Sequence, residues 1–284
     1  MPKIAIITDT DASLSAELAQ QYNIRQVPIT IHFGEESYTT GMDINDKQLF
    51  EIIDRKNKLP TTAAPPPAAF AKAYEEAFNE GADEIICICI SSAMSATYTA
   101  AVNACEFFEG KKIHVIDSLT LSMAQGFMAI AASQAAQEGA SSEEIIALID
   151  SMRERLHIYG ALTTLKYLAM SGRVGKLAAG MASTLDIKPI LRSQNGKLEM
   201  LEKIRTDKKA LNRVRDLCVE AVNSKPIEKA AIIHVNNLEG AARMQELLQA
   251  AIPDLKDVLI AEFTAGLAVH TGSGLVGVVL MTAE

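Results

Sequence analysis

The sequence predicts a two-lobed α/β protein, with a parallel-sheet N-terminal domain followed by a mixed α/β C-terminal domain. Three observations carry that expectation. Short apolar runs of strand length alternate with longer stretches of helical periodicity, the pattern of a parallel sheet with crossover helices. Several runs are apolar throughout rather than alternating, as strands covered on both faces are. At 284 residues the chain exceeds the usual single-domain size, so two domains of roughly 100–150 residues are expected.

Taken in order, "KIAIITDT" reads as a buried strand ending at Asp9. "ASLSAELAQQY" follows as an amphipathic helix, with Ser13 as its N-cap and Leu14 and Leu18 four residues apart. "IRQVPITIHF" then reads as a single second strand. The alternation continues with a helix near 67–80, the strand "EIICICI" at 84–90, a helix near 97–108, the strand "KIHVID" at 112–117 and a long helix near 121–138. "SSEEIIALIDSMRERL" adds a helix, and from "IYGALTT", read as a strand, a second unit opens. That places the domains at 1–153 and 154–284. In the second unit, "LDIKPILRSQNGKLEMLEKIR" holds two short strands about Asn195-Gly196, a strong hairpin signal. A helix at 207–223, "KAAIIHV", a helix at 238–250, "VLIAEF" and the terminal "GLVGVVL" complete the chain. No repeat of 20–50 residues is visible.

Composition narrows the function classes. With 49% hydrophobic and 22% charged residues, the chain has ordinary globular values and no disordered bias. A net charge of -8 without a lysine or arginine cluster argues against nucleic acid and against an anionic membrane surface. No segment approaches the roughly 18 apolar residues of a membrane span, and the N-terminal run is too short for a signal peptide. Cys87, Cys89, Cys105 and Cys218 lie in apolar stretches and read as reduced core thiols of a cytoplasmic protein. The histidines show neither HxH nor HExxH spacing, so no metal site is expected. Neither GxGxxG nor GxxxxGK[ST] stands at a strand–helix junction, so nucleotide binding by this chain alone is not expected either.

In an open parallel sheet, ligands meet the loops at the carboxyl ends of the strands. The candidate segments are therefore "TDTD" (8–11), "LPTTAAPPPAAF" (59–70), "ISSAMSATY" (90–98), "IDS" (116–118), "LKYLAMSGRVG" (165–175) and "VHTGSG" (269–274). "ISSAMSATY" sets Ser91, Ser92, Ser95 and Thr97 about a helix start, where free N–H groups favour an anion, although plain N-capping explains the same hydroxyls. Thr61 and Thr62 stand on a stiff proline-rich support that is equally readable as a connector. Arg173 sits between Gly172 and Gly175, placed for a bidentate oxyanion contact or for solvent. Ser118 closes the strand of "IDS". His270 reads as the residue where a turn meets the last strand, either as a packed ring or as a functional one. No GxSxG elbow is present, yet a serine hydrolase built from Ser95, His270 and Asp9 or Asp117 stays open, as does a non-catalytic regulator that binds an amphiphile.

These six segments, in this order, resemble the motifs of the DegV family of bacterial fatty-acid-binding proteins. "IITDTDASL" is similar to a family start of Asp-Ser-Thr type, "LPTTAAPPPAAF" to Pro-x-Thr-Ser-Gln-Pro-Ser, and "ISSAMSATYTAA" to Ser-Ser-x-Leu-Ser-Gly-Thr-Tyr. "VIDS", "LKYLAMSGRVG" (Gly-Gly-Arg in the family) and "VHTGSGLVG" (His-Thr-Gly-Pro-Gly) extend the likeness over nearly the whole chain. The resemblance implies a lipid tunnel between or within the lobes, holding one long-chain fatty acid and no cofactor. It further implies that the chain is no enzyme on its own but the acyl-carrying subunit of a fatty acid kinase, whose separate ATP-binding subunit phosphorylates the carboxylate for phospholipid synthesis. Carried over, Thr62 and Ser95 would bind the carboxylate, with Thr61, Ala96, Ser118 and His270 as further ligand-binding positions. Arg173 and His270 would assist phosphoryl transfer. Ala63 and Ala64 stand where the family has Ser-Gln, and Ala96 where it has glycine, which leaves fewer head-group donors. Without coiled-coil heptads, the chain is expected to be a monomer.

Overall fold

A computed structural model describes residues 2–173 and 187–284 of the chain. Strand β1 (Ile4–Asp9) belongs to a four-stranded sheet of order β2-β1-β6-β7, completed by β2 (Ile24–Val27), β6 (Glu84–Cys89) and β7 (Lys112–Asp117). Every pair in it is parallel. All residues of β6 are buried, which is why its sequence is apolar without alternation. Ile86 and Ile88 pack on one side with α5 (Met123–Gln137), while Ile85, Cys87 and Cys89 pack on the other with α3 (Pro67–Asn79) and α4 (Thr97–Ala104). The Cys87 and Cys89 sulfurs are 3.8 Å apart on that face, and all four cysteines are free.

The second sheet has the order β10-β9-β8-β13-β11-β12. It comprises β8 (Leu156–Ala161), β9 (Lys188–Gln194), β10 (Lys197–Ile204), β11 (Ile227–His234), β12 (Val258–Glu262) and β13 (Val276–Thr282). Only β11 and β12 pair in parallel; the other neighbours are antiparallel. The β9–β10 hairpin turns through Asn195 and Gly196, both at positive φ, as a type I′ turn requires. One face of the sheet packs on α8 (Asp207–Val222) and α9 (Leu238–Ala251) through Ala230, Ile232, Val278 and Leu280. Ala231, Ile233 and Val279 on the other face join the core that contains α5.

Helices α5 and α6 (Ser142–Arg155) therefore lie between the two sheets, α5 touching both β1 and β13 and α6 packing on β13. A helix covered on all sides has to be apolar all round, and Met123 through Ile130 of α5 are buried without exception. Its alanines and Gly126 keep the layers close. Helix α6 starts on a capping box in which Ser141 and Glu144 satisfy each other's backbone N–H groups.

The structure corrects several local expectations. Pro28 divides the expected single strand over "IRQVPITIHF". It lacks an N–H for the ladder, so β2 stays in the parallel sheet while β3 (Thr30–Phe33) joins a separate antiparallel sheet of order β4-β3-β5 with β4 (Glu36–Thr39) and β5 (Thr61–Ala63). Ser13 is not an N-cap. It takes a left-handed conformation, and its hydroxyl bonds that of Ser122 at 2.9 Å; Ser15 caps α1 (Ala16–Gln21) instead. Among the described residues, three helices depart from the expectation: α2 (Asp46–Lys56), α7 (Lys166–Met170) and α10 (Ala265–Thr271). His270 thus lies in the last turn of a helix, not at the head of a strand.

A Cβ on Gly126 would stand 2.7 Å from the carbonyl oxygen of Ala12, a backbone atom that cannot swing aside. Helix propensity alone favours alanine by about 1 kcal/mol, whereas overpacking a tight core costs about 1–3 kcal/mol. Gly126→Ala is therefore expected to lower the midpoint of urea unfolding, and an unchanged or raised midpoint would show that the turn at Ala12 yields.

Candidate functional site

A cavity of about 270 Å³ opens beside the carboxyl ends of β1 and β6 and against the second sheet. Its walls are mainly apolar, with Ile90 and Leu121 from the N-terminal half and Ile158, Leu191, Ile233 and Leu275 from the C-terminal half. A second, outer cavity of about 300 Å³ is walled by Leu59, Pro60, Tyr167 and Met170. Thr62, Arg173 and His270 line both, so these three residues stand where the two cavities adjoin.

The local sequence explains how each is held. Thr62 is the middle residue of β5, paired with Ile31 of β3, and Pro60 and Pro65 restrict the chain on either side. His270 is carried by α10, which packs on α2, α7 and β5. The Thr62 hydroxyl and His270 Nε2 are 3.0 Å apart. Gly272 and Gly274, both at positive φ, close the helix; a Cβ at either would strike Tyr167 or Thr163. Their glycine requirement thus comes from protein packing, not from the approach of the turn to a ligand. Arg173 is exposed and donates to the Ser171 carbonyl at 2.6 Å. Gly175, expected to flank it, lies outside the described residues.

Ser95 and Ala96 line the same inner cavity at the start of α4. The Ser95 hydroxyl lies 2.8 Å from that of Thr97 and accepts from the Thr97 N–H at 3.3 Å. Helix starts carry spare N–H donors and the positive end of the helix dipole, so an anion is favoured here without a formal cation. Thr61 pairs with His32, is exposed and lines only the outer cavity. Ser118 does not line either cavity. It is buried, accepts from the Thr120 N–H at 3.2 Å and lines a separate cavity with Arg153 and His157.

Burial chiefly, and the charge of Arg173 in addition, bring the His270 pKa down to about 4. The ring is therefore neutral at physiological pH, and its buried Nδ1 has no hydrogen-bond partner among the described residues. A folded-state pKa below the ordinary value near 6.5 makes the associated stability complete above that value and lost as pH falls toward 4. Asp9 and Asp11 act in the opposite sense. Burial raises both, and the Asp9 charge raises Asp11 further, so their contribution is complete at low pH and lost as pH rises.

Sequence reasoning assigned no role to Asp11, which lines the inner cavity; a charge at the end of a strand gave no sign that the side chain turns inward. The hydrolase arrangement is not assembled among the described residues. The Ser95 hydroxyl bonds Thr97, His270 bonds Thr62, and Asp9 accepts from Ile90 and Gln125. No group of three or more metal-ligating side chains occurs among the described residues, and none of their helices is long and apolar enough to cross a membrane.

A family model described as "Uncharacterised protein, DegV family" matches residues 3–283. The chain belongs to the DegV family. Among its DegV relatives, a DegV domain-containing protein of Halalkalibacterium halodurans is 33% identical over 98% of both chains. Protein DegV of Bacillus subtilis is also 33% identical, over 97% of this chain and 98% of the relative. The solved structure of Bacillus subtilis DegV, described as a fatty acid binding protein, superposes with a TM-score of 0.89 at 32% identity over 100% of both chains. A DegV family protein of Thermus thermophilus, described for its fatty acid binding, superposes with a TM-score of 0.93 at 26% identity, again over 100% of both.

If Arg173 depresses the His270 pKa, Arg173→Ala should raise it while leaving it below the ordinary histidine value, because burial is the larger cause. NMR titration of the imidazole resonances measures this; a pKa unmoved by the substitution would place the guanidinium too far away to act.

Proposed function

We propose that this chain binds one long-chain fatty acid, with the acyl chain in the apolar cavity and the carboxylate at its mouth, and presents that carboxylate to a separate ATP-dependent kinase subunit. The observation that carries the reading is the Thr62–His270 pair set beside a mainly apolar space. Fatty acid binding described for the Bacillus subtilis and Thermus thermophilus relatives supports the same ligand class. No cofactor is needed for this role.

Each buried methylene contributes about 0.8 kcal/mol, so an acyl chain supplies most of the affinity and the head-group needs chiefly orientation. The hydroxyls of Thr62 and Ser95, with the N–H groups at the start of α4 beside Ala96, are neutral donors. They hold a carboxylate without drawing off its charge as a bidentate ion pair would. The oxygen so held remains nucleophilic. In the partner's site it forms a bond to the terminal phosphorus of ATP as the bond from that phosphorus to the ADP oxygen breaks, and ADP leaves with the electron pair. Arg173, exposed at the mouth, meets the developing phosphoryl charge, and neutral His270 fixes the Thr62 hydroxyl. Thr61 lies on the outer rim facing the partner, and Ser118 is a structural residue of the neighbouring loop. In this role the chain acts as a monomer in the cytoplasm, its units 1–153 and 154–284 supplying opposite cavity walls.

Native mass spectrometry of the purified protein is expected to find a bound fatty acid, and protein stripped of lipid should take up hexadecanoate or oleate. Absence of both would overturn the reading. Thr62→Val should weaken uptake by about tenfold, the worth of a hydrogen bond to a charged group. Arg173→Ala should keep lipid binding but lose phosphorylation of the bound acid by an added kinase subunit. Binding with no phosphorylation of the wild-type complex would instead support an amphiphile-binding regulator.

A further inference from the structure

We infer that Asp11 is a second polar anchor inside the cavity, one that takes an acyl chain bearing a hydroxyl group a few carbons from its carboxylate. The inference rests on the fatty acid reading above and adds a substrate class to it. Asp11 is only 5% exposed and lines the inner cavity beside Ile29 and Leu267. Its Oδ1 has no hydrogen-bond partner among the described residues. The Thr264 hydroxyl approaches it and lowers its pKa, yet that hydroxyl is itself left without a hydrogen bond of ordinary geometry among the described residues.

Position gives the distance from the head-group. Asp11 Oδ1 stands 2.7 Å from where a Cβ on Gly266 would be, so the carboxyl lies directly against α10 at that glycine. His270 is four residues further along the same helix. Residues at this spacing share a face, about one turn or 5.4 Å apart. His270 lines both cavities whereas Asp11 lines only the inner one, so the step from His270 to Asp11 leads inward. An acyl chain whose carboxylate rests at Thr62 therefore passes Asp11 within its first several carbons.

The chemistry of that contact is set by burial. An unpartnered buried polar atom costs about 1–3 kcal/mol, and a methylene sliding past Asp11 leaves this cost standing. A hydroxyl removes it. Desolvation and the neighbouring Asp9 charge favour the protonated form of Asp11, which both donates and accepts, as a hydroxyl does. Sites built to bond a hydroxyl reject the analogue lacking it far better than apolar sites reject an added one.

The test is a set of dissociation constants for lipid-stripped protein with hexadecanoate, with hexadecanoates hydroxylated at carbon 3 or carbon 5, and with 16-hydroxyhexadecanoate. Wild-type protein is expected to bind one of the first two hydroxy acids about fivefold tighter than hexadecanoate, the effect of one added hydrogen bond. The 16-hydroxy acid should bind weaker than hexadecanoate. Asp11→Leu should abolish the preference while keeping hexadecanoate binding, and Asp11→Asn, which retains a donor and an acceptor, should preserve it. Equal affinities in the wild type, or a preference that survives in Asp11→Leu, would overturn the inference. If the leucine variant does not fold, the wild-type contrast between hydroxyls near to and far from the carboxylate decides. Failure of hexadecanoate itself to bind would refute the fatty acid reading; hexadecanoate binding without discrimination would refute the role of Asp11 alone.

Discussion

The carboxyl group of Asp9 sits buried at the end of β1 and accepts from three parts of the chain at once. Its Oδ1 takes the Asp11 N–H at 3.0 Å, and its Oδ2 takes the Ile90 N–H at 2.8 Å and the Gln125 side-chain amide at 3.1 Å. Gln125 also reaches the Thr8 hydroxyl at 2.9 Å. These bonds fix the turn that carries Asp11, the loop after β6 that leads to Ser95, and the start of α5. Asp11, Ile90 and Ser95, part of what the N-terminal half contributes to the cavity, hang from those positions. Burying a carboxyl is costly unless its lone pairs are met, and here the cost is offset by joining three loops to one atom group. A network of this kind is stiff because each bond presupposes the others.

The opposite wall depends on a different kind of constraint. Helix α10 has small, apolar residues and only two turns, too few to be stable alone. It persists because α2, α7 and β5 surround it, and its glycines accept close contact with Asp11, Tyr167 and Thr163. The result is an entrance lined by a hydroxyl, a neutral imidazole and helix N–H groups, with the Arg173 guanidinium held at the solvent edge. Such an entrance favours an anion mildly and lets the apolar cavity dominate the energetics.

The strands of the parallel sheet were legible in the sequence because burial on both faces leaves unbroken apolar runs, as in "EIICIC". The β9–β10 hairpin was legible because Asn-Gly is chemically suited to positive φ at both turn residues. What escaped was set by tertiary contacts. Pro28 was visible, but that it sends the next strand into another sheet was not. Ser13 and Ser15 are equivalent as local capping signals, and the bond from Ser13 to Ser122 decided between them. His270 was marked as a candidate, while its helix and its bond to Thr62 came from packing. Asp11 carries no local sign of facing inward, since strand-end aspartates commonly face solvent.

The Thr62–His270 bond spans 208 positions of sequence, and the cavity walls run from Asp11 to Leu275. During translation the first walls exist long before the last. Until α10 and β13 have been synthesised there is no enclosed space, only the apolar faces of β6 and α5 in search of cover. Closure of the cavity is therefore a late event in biogenesis, and a nascent chain stalled before α10 presents chaperones with the surface that the finished protein reserves for its own core.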